Sequence, residues 1–182
     1  MKKSMLGCSL VLALLFSSIT GLLLVNLATA NSMPEFGPPI LSPIIINSDG
    51  SIEPATAPIQ RNGETFTLSN SIENYTLLVL RDNITLDGRG FALIGNRSNG
   101  IRASGIYLSQ INHVTIKNFK ISLFEYGIMN NDCTNNSIIG NEIHDCHDGI
   151  IVMTSSGIYV SGNIISRNHC GIYNWCISRH SA

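Results

Sequence analysis

Charged side chains are scarce in this sequence of 182 residues. Lys, Arg, Asp and Glu together supply 13% of the residues, roughly half of the share in an ordinary globular protein. The formal net charge is -1, and no cluster of Lys or Arg is present that could hold a phosphate backbone. The composition therefore predicts no nucleic-acid partner and a polar surface with little charge.

Helical periodicity is also lacking in the sequence that follows Ala30. Apolar and polar residues alternate in short runs, as in Val114-x-Ile116 and Ile158-x-Val160, which is the spacing of strands with one buried face. Asn62-Gly63, between two such runs, predicts a tight turn. We expect an all-β fold.

The one long apolar run lies at the N-terminus. Lys2 and Lys3 precede an uncharged stretch that closes with small residues, Ala28 to Ala30, which is the pattern of a secretory signal with a cleavage site. The alternative is an uncleaved membrane anchor over residues 4–27, since the run is long enough to span a bilayer. We predict a signal peptide over 1–30, a secreted or extracellular protein, and contact with a membrane only through this segment.

Domain boundaries follow from shifts in composition. Residues 31–58 are rich in Pro and small polar residues, and we interpret them as a linker that leads into a cap. Residues 59–104 are interpreted as an N-terminal cap and a first coil, and residues 105–182 as a series of repeats.

The repeats are marked by Gly-Ile pairs that begin at Gly105, Gly127, Gly149 and Gly171, so the period is constant at 22. With each of these glycines counted as position 1, positions 2, 12 and 17 are aliphatic in the repeats that contain them. A fixed period of this size indicates one supersecondary unit per repeat. We predict a parallel coil of three short strands per repeat, whose aliphatic columns stack with neighbours about 4.8 Å apart.

Glycine and asparagine mark the expected corners. We interpret the glycine at position 1 as a corner with positive φ. A second corner is predicted at Gly140 and Gly162, which are followed by Asn141 and Asn163. Stacked Asn side chains can hydrogen-bond along the axis of such a coil. A structural role is therefore preferred for them over ligand binding.

Position 21 is the column with the most potential metal ligands in and beside it. Imidazole and thiolate groups suit copper or zinc, and side chains on neighbouring coils could approach one ion. The candidate ligands for copper or zinc are Glu125, Cys146, His147, His169 and Cys170, with His144, Asp145 and Asp148 close in sequence. In a regular strand Cys146 and His147 would point to opposite faces, so a site that used both would require a turn there.

Two covalent modifications are also expected from the sequence. Cys146 and Cys170 lie on adjacent coils, and theirs is the one intrachain disulfide that we consider. Asn-x-Ser/Thr sequons make four asparagines candidates for glycosylation: Asn74, Asn83, Asn96 and Asn135.

Three segments resemble a known family: LRDNITLDGRGFALIG (80–95), GIYLSQINHVTIKNFKI (105–121) and NNSIIGNEI (135–143). They are similar to right-handed parallel β-helix repeat proteins of the NosD type, including secreted archaeal members. The resemblance implies a right-handed parallel β-helix and a periplasmic copper-binding domain, which in this group overlaps the repeat domains of carbohydrate-binding proteins and sugar hydrolases. The family motif provides no ligand positions that can be transferred to this chain.

The main functional prediction is non-catalytic binding of extracellular carbohydrate or a surface protein through a flat polar face. The alternative is a copper- or zinc-binding protein with its site on position 21. A polysaccharide lyase or hydrolase is the second alternative, although the acids are scattered and no catalytic residue is identified. The sequence stops within its fourth repeat without an amphipathic cap, which predicts a truncated C-terminus and end-to-end association through the uncapped coil.

Overall fold

The computed structural model describes residues 42–96 and 103–175, and every helix or strand in those ranges is a β-strand. Within the same ranges, no helix is long and apolar enough to span a membrane. The predicted signal peptide (1–30) and the alternative anchor (4–27) lie outside the described residues. The expectation of an all-β fold is confirmed.

The strands form three sheets. Sheet A contains β1 (Ser42–Ile46), β2 (Ile52–Glu53), β6 (Tyr75–Val79), β9 (Ser104–Ser109), β12 (Tyr126–Asn131), β15 (Asp148–Met153) and β18 (Cys170–Trp175). Sheet B contains β3 (Ile59–Asn62), β4 (Thr65–Leu68), β7 (Thr85–Asp87), β10 (Thr115–Lys117), β13 (Ser137–Ile139) and β16 (Tyr159–Ser161). Sheet C contains β5 (Ile72–Glu73), β8 (Ala92–Ile94), β11 (Lys120–Ser122), β14 (Glu142–His144) and β17 (Ile164–Ser166).

From β4 onward the chain visits sheets B, C and A in turn, and from β6 onward each strand pairs in parallel with a strand one coil earlier. The molecule is therefore a right-handed parallel β-helix, as predicted. The register follows the aliphatic columns, because position 2 pairs Ile128 with Ile150 and position 12 pairs Ile116 with Ile138. Position 17 likewise pairs Ile121 with Ile143.

The core is a narrow apolar column enclosed by the three sheets. The position 2, 12 and 17 side chains of the middle coils are fully buried there, and Phe119 and Phe124 fill space at the corners. On β18 the equivalent Ile172 is half exposed, since no described strand lies beyond it. Burial of each isoleucine contributes on the order of 2 kcal/mol, so the stacked columns are the main source of stability.

The N-terminal part of the described chain already joins the coil. Within residues 31–58, interpreted as a linker that leads into a cap, the described residues 42–58 contain β1 and β2, and β1 pairs in parallel with β6. Ile44 and Ile46 are buried in the core, and this burial explains why the segment joins the sheet despite its prolines. A tight turn is present where Asn62-Gly63 predicted one, but it is displaced by one residue: Gly63 and Glu64 form the turn, and Asn62 pairs with Thr65 in the β3–β4 hairpin.

The glycines at position 1 have another role than the one expected. Their φ values are not positive, so the predicted left-handed corner at this position is wrong. A Cβ on Gly127 would lie 2.5 Å from the carbonyl oxygen of Gly149, and one on Gly149 would lie 2.5 Å from that of Gly171. Glycine is needed here because the backbones of adjacent coils approach too closely for a side chain.

The true corners lie elsewhere in the coil. Positions 6, 9, 14 and 19 have left-handed backbones, and the middle coil provides them with Asp132, Asn135, Gly140 and Asp145. The predicted corner at Gly140 and Gly162 is confirmed, with φ of 63° and 62°.

Asparagine side chains tie neighbouring coils together after this corner. The Oδ1 of Asn141 accepts a hydrogen bond from Phe119 N at 3.0 Å, and its Nδ2 donates to Ile116 O and to Asn163 Oδ1, both at 3.0 Å. The amides therefore satisfy backbone groups in the turn and form a ladder along the axis, which confirms the structural role predicted for them.

Candidate metal centre on the outer face of sheet A

The corner between sheets C and A places the position 21 side chains on the surface. Strand β14 ends at His144, a bend covers residues 145–147, and β15 begins at Asp148. Asp145 takes a left-handed backbone with φ of 56°, so the alternation of a regular strand is interrupted. As a result His147 and Asp148, although adjacent in sequence, belong to one surface cluster.

The two histidines of this column are brought together. The imidazole rings of His147 and His169 stack with centroids 4.5 Å apart and an interplanar angle of 19°. Hydrogen bonds from Asp148 N to Glu125 O and from Cys170 N to His147 O hold the three coils in this register. The imidazoles of neighbouring coils are therefore in contact, and their binding of one ion stays a prediction.

Carboxylates surround His147. Its Nδ1 lies 3.2 Å from Asp148 Oδ1 and 3.9 Å from Glu125 Oε1. Among residues 42–96 and 103–175, the group that could hold a metal ion consists of His147, Asp148 and His169, whose ligand atoms all lie within 4.8 Å of one another. Glu125 therefore borders the cluster, and Asp148, which was noted only as a sequence neighbour, belongs to it.

The predicted sulfur ligands are not part of the group. Cys146 is 1% exposed and packs in the core, with its Sγ 3.6 Å from the carbonyl oxygen of His144. Cys170 pairs in register with Asp148 and is half-buried. The expected Cys146–Cys170 disulfide is not formed in the described part of the chain, because Cys146 points inward and Cys170 starts an outer strand two positions out of register.

One atom of the cluster favours a bound cation. The Nδ1 of His147 is buried and has no hydrogen-bond partner among the described residues, since the nearby Asp148 oxygen is close but not aligned for a hydrogen bond. A buried polar atom of this kind is costly unless it finds a partner. Two imidazoles and a carboxylate are a donor set that suits copper or zinc, so the residues present fit such an ion.

The spacing allows these groups to close around one ion. Ligands about 2.0 Å from a tetrahedral metal lie about 3.3 Å from each other, whereas these ligand atoms lie within 4.8 Å. The lone pairs of two stacked imidazoles are nearly parallel and do not converge on one ion, so His169 must rotate out of the stack to bind beside His147. His169 is exposed and therefore free to make this rotation. Three protein ligands would leave a fourth position open.

The neighbouring Asp145 and His144 make contacts with Arg167 and with each other, outside the cluster. Asp145 accepts hydrogen bonds from Arg167 Nε and Nη2, both at 2.8 Å, and its Oδ2 lies 2.8 Å from His144 Nδ1. The Arg167 guanidinium, assisted by His144, holds the pKa of Asp145 well below its usual range. This network fastens the corner and takes His144 and Asp145 out of the candidate metal site.

A second surface feature runs along the corner between sheets B and C. It is a groove of about 560 Å³ that crosses several coils, and its lining includes Asp87, Arg89, Lys120, Glu142 and the side-chain-free Gly140 and Gly162. Burial tends to raise the pKa of Asp87, but hydrogen bonds from Asn118 and from Arg89 N–H, with the nearby Lys117, lower it overall. The groove thus presents ionised groups of both signs.

The four sequon asparagines, Asn74, Asn83, Asn96 and Asn135, are exposed. Three of them, Asn74, Asn83 and Asn135, adopt left-handed φ values between 55° and 60°, a conformation that Asn tolerates better than most residues. Turn geometry accounts for these three positions, and glycosylation stays a prediction.

Comparison with known proteins agrees with the fold. The sequence model of the family described as "Periplasmic copper-binding protein (NosD)" matches residues 68–178. The chain belongs to the NosD family. That match covers the coils of the β-helix, including the corner that holds His147 and His169. No curated protein and no solved structure gives a significant match to the chain.

Proposed function

We propose that this NosD-family protein binds a copper ion at the cluster of His147, Asp148 and His169, outside the cytoplasm. The observation that carries the proposal is the meeting of two imidazoles from adjacent coils with a carboxylate, at a buried Nδ1 that has no hydrogen-bond partner among the described residues. The family description, a periplasmic copper-binding protein, supports both the metal and the location.

The donor set favours Cu(II) over Zn(II). Imidazole and carboxylate bind both ions, and divalent copper stands above zinc in the usual order of affinity. Glu125, 3.9 Å from His147 Nδ1, adds negative charge beside the cluster and favours any cation there. With three ligands and an open surface position, the ion can exchange with another carrier, so the role is to hold and hand on a metal ion.

A titration tests this proposal. The full chain is titrated with Cu(II) and with Zn(II) in competition with a chelating indicator, beside the variant His147→Ala/His169→Ala. We expect one equivalent of Cu(II) bound tighter than micromolar and a loss of at least a hundredfold in the variant. The affinity should also fall at acid pH, because the imidazoles must be deprotonated to bind.

A matched control variant shows whether copper binding depends on the cluster or only on the number of histidines in the chain. His113 is exposed and has φ of 56°, so His113→Asn removes an imidazole at a residue that Asn can replace without strain. This variant should bind as the unmodified chain does, and so should Cys170→Ser. Stoichiometric binding that survives in His147→Ala/His169→Ala would show that the ion is held elsewhere, and absence of binding in the unmodified chain would remove the proposal.

The groove between sheets B and C supports a second candidate function, the binding of extracellular carbohydrate. Sugar hydroxyls both donate and accept hydrogen bonds, and the groove offers carboxylates at Asp87 and Glu142 with cationic donors at Arg89 and Lys120. It runs past successive coils, so an extended glycan could contact several of them, although the register partners Lys120, Glu142 and Ile164 offer different groups on each coil.

Affinity electrophoresis against neutral and acidic polysaccharides tests this second candidate. The variant Lys120→Ala/Glu142→Ala should lose the retardation that the unmodified chain shows. Glu73→Ala, which removes an exposed acid of the same sheet outside the groove, should keep it. Equal retardation of all three proteins, or none in any gel, would count against the groove as a glycan site.

A further inference from the structure

An apolar pocket opens on the outer face of sheet A beside the histidine cluster. It has a volume of about 160 Å³ and is lined by Tyr126, Met129, Asp148, Ile151, Met153, Tyr173 and Trp175. Met129 and Ile151 are only 6% and 4% exposed, yet they are not members of the interior core cluster. They face outward, because along β12 and β15 they follow the core residues Ile128 and Ile150.

The distribution of methionine in the chain points to this pocket. Of five methionines, three lie no later in the sequence than Met33, and the other two, Met129 and Met153, both line the pocket. A methionine that only fills space is expected in a packed core. These two instead lie together on the outer face of one sheet.

The register places Met129, Met153 and Trp175 on three neighbouring strands of one sheet. The Met129 Sδ accepts a hydrogen bond from Ser104 Oγ of β9 at 3.9 Å, so this thioether must rotate toward β15 to share an ion with Met153. Met153 pairs with Asn131 of β12, so Met129 lies one strand away and two residues along. Such diagonal neighbours have Cα atoms about 7–8 Å apart, within the reach of long side chains. Trp175 is the direct register partner of Met153 on β18, which places its ring beside the Met153 side chain.

We propose that Met129, Met153 and Trp175 form a second cation site, one that takes Cu(I). Thioether sulfur is a soft ligand that selects Cu(I) over the divalent ions that imidazole and carboxylate hold. The indole ring adds a cation–π contact, which is strongest for Trp and gains when the cation is desolvated. Trp175 is 40% exposed and Tyr173 is 45% exposed, so the ion would be only partly desolvated and the cation–π contribution would be correspondingly modest.

This site goes beyond the Cu(II) site proposed above and uses none of its histidines. Asp148 lines the pocket and also belongs to the histidine cluster, so the two sites share one side chain and lie next to each other. The protein would then hold copper in either oxidation state, each in its own set of ligands. Each copper ion binds in the oxidation state in which it is supplied, and no electron transfer within the protein is involved.

Trp175 provides the readout, because it is the only tryptophan in the chain. The full chain, with Cys8, Cys170 and Cys176 replaced by Ser to remove competing thiols, is titrated without oxygen with Cu(I) and, as a redox-stable substitute, with Ag(I). Tryptophan emission is recorded, and a Cu(I) chelator competes for the ion. We expect one equivalent to quench the emission with an affinity tighter than micromolar.

The matched variants assign the ligands. Met129→Leu/Met153→Leu keeps apolar volume, and it should weaken binding at least tenfold without a change in circular dichroism. Ile151→Leu, in the same pocket, should bind normally. If the double variant does not fold, the single change at the half-buried Met153 takes its place and should also weaken binding. His147→Ala/His169→Ala should keep the quenching, even though it loses Cu(II).

Three results would overturn the proposal: binding of Cu(I) or Ag(I) without quenching of Trp175, unchanged binding in the methionine variant, or loss of the quenching in the histidine variant. The last would mean that the soft ion uses the imidazole cluster. Loss of the Cu(II) site with retention of the Cu(I) site, or the reverse, separates this inference from the proposed function.

Discussion

Replacing Gly127 with alanine tests the explanation for the repeated Gly-Ile pair. The new Cβ would lie 2.5 Å from Gly149 O and 2.7 Å from Ile143 Cγ2. Ordinary contacts of a Cβ begin near 3.4 Å, so the neighbouring coil would have to move by about 0.9 Å, enough to break an inter-strand hydrogen bond. Overpacking costs about 1–3 kcal/mol and a weakened hydrogen bond about 1 kcal/mol, which gives an expected destabilisation of about 3 kcal/mol.

Gly140 provides the comparison with Gly127, because glycine is favoured at position 140 by its backbone conformation and not by a close contact. A Cβ there would meet Asn118 Oδ1 at 3.7 Å, an ordinary contact, and the strain comes only from its φ of 63°. The left-handed conformation costs an alanine about 1–2 kcal/mol. Alanine also lowers the conformational entropy of the unfolded chain, which stabilises the folded state by about 0.4–1 kcal/mol. The net destabilisation of Gly140→Ala should therefore be about 1 kcal/mol. Gly140→Asn should cost less, because Asn118 occupies the same position of the preceding coil with φ of 58°.

Urea denaturation followed by far-UV circular dichroism measures the differences, with the free energy of unfolding taken from the midpoint and slope. The expected order of stability is the unmodified chain, Gly140→Asn, Gly140→Ala and then Gly127→Ala. If Gly127→Ala were as stable as Gly140→Ala, close approach of the backbones would not be the reason for glycine at position 1.

Three further outcomes are expected. Asn141→Ala should lose about 2–4 kcal/mol in the same denaturation experiment, because Phe119 N loses its acceptor and two donated bonds disappear; a change below about 0.5 kcal/mol would contradict the ladder. An alkylating reagent should modify Cys170 in the native protein before Cys133, whose burial raises the pKa of its thiol; equal rates would contradict the burial. The pKa of Asp145 is lowered, so its pairing stabilises the fold fully above the unfolded value near 3.8 and progressively less below it; the difference in urea midpoint between the unmodified chain and Arg167→Gln should therefore narrow as the pH falls below that value.

Strict spacing explains why the middle of the fold could be predicted. Wherever the repeat keeps its constant period, the columns that contain Ile128 and Ile138 determine the register of every strand. The earlier coils could not be aligned in the same way, because Ile106 pairs with Leu77 and Ile116 with Leu86, at longer and unequal separations. Strand pairing in the earlier coils depends on which apolar side chains reach the core, and this cannot be read from a repeat period that those coils do not follow.

The candidate site was predictable only in part, for a similar reason. The repeat predicted that His147 and His169 occupy one column, and the stacking of adjacent coils brings their rings into contact. Cys146 and His147 do point to different sides, but they lie in the bend at 145–147 and not in a strand, so alternation is not the reason. The same left-handed position is occupied by Leu123, Asp145 and Arg167 in successive coils, so no common residue type marks the bend in the sequence.

The corner between sheets C and A also shows where this β-helix accepts extra chain. Three residues separate β11 from β12, and three separate β14 from β15, whereas nine separate β8 from β9. Leu77 and Ile106 nevertheless pair across the longer connection, so added length at this corner leaves the stacking of the core unchanged. The histidine cluster therefore occupies the corner whose length differs most between the described coils, so a binding site can be enlarged there while the buried columns stay in place.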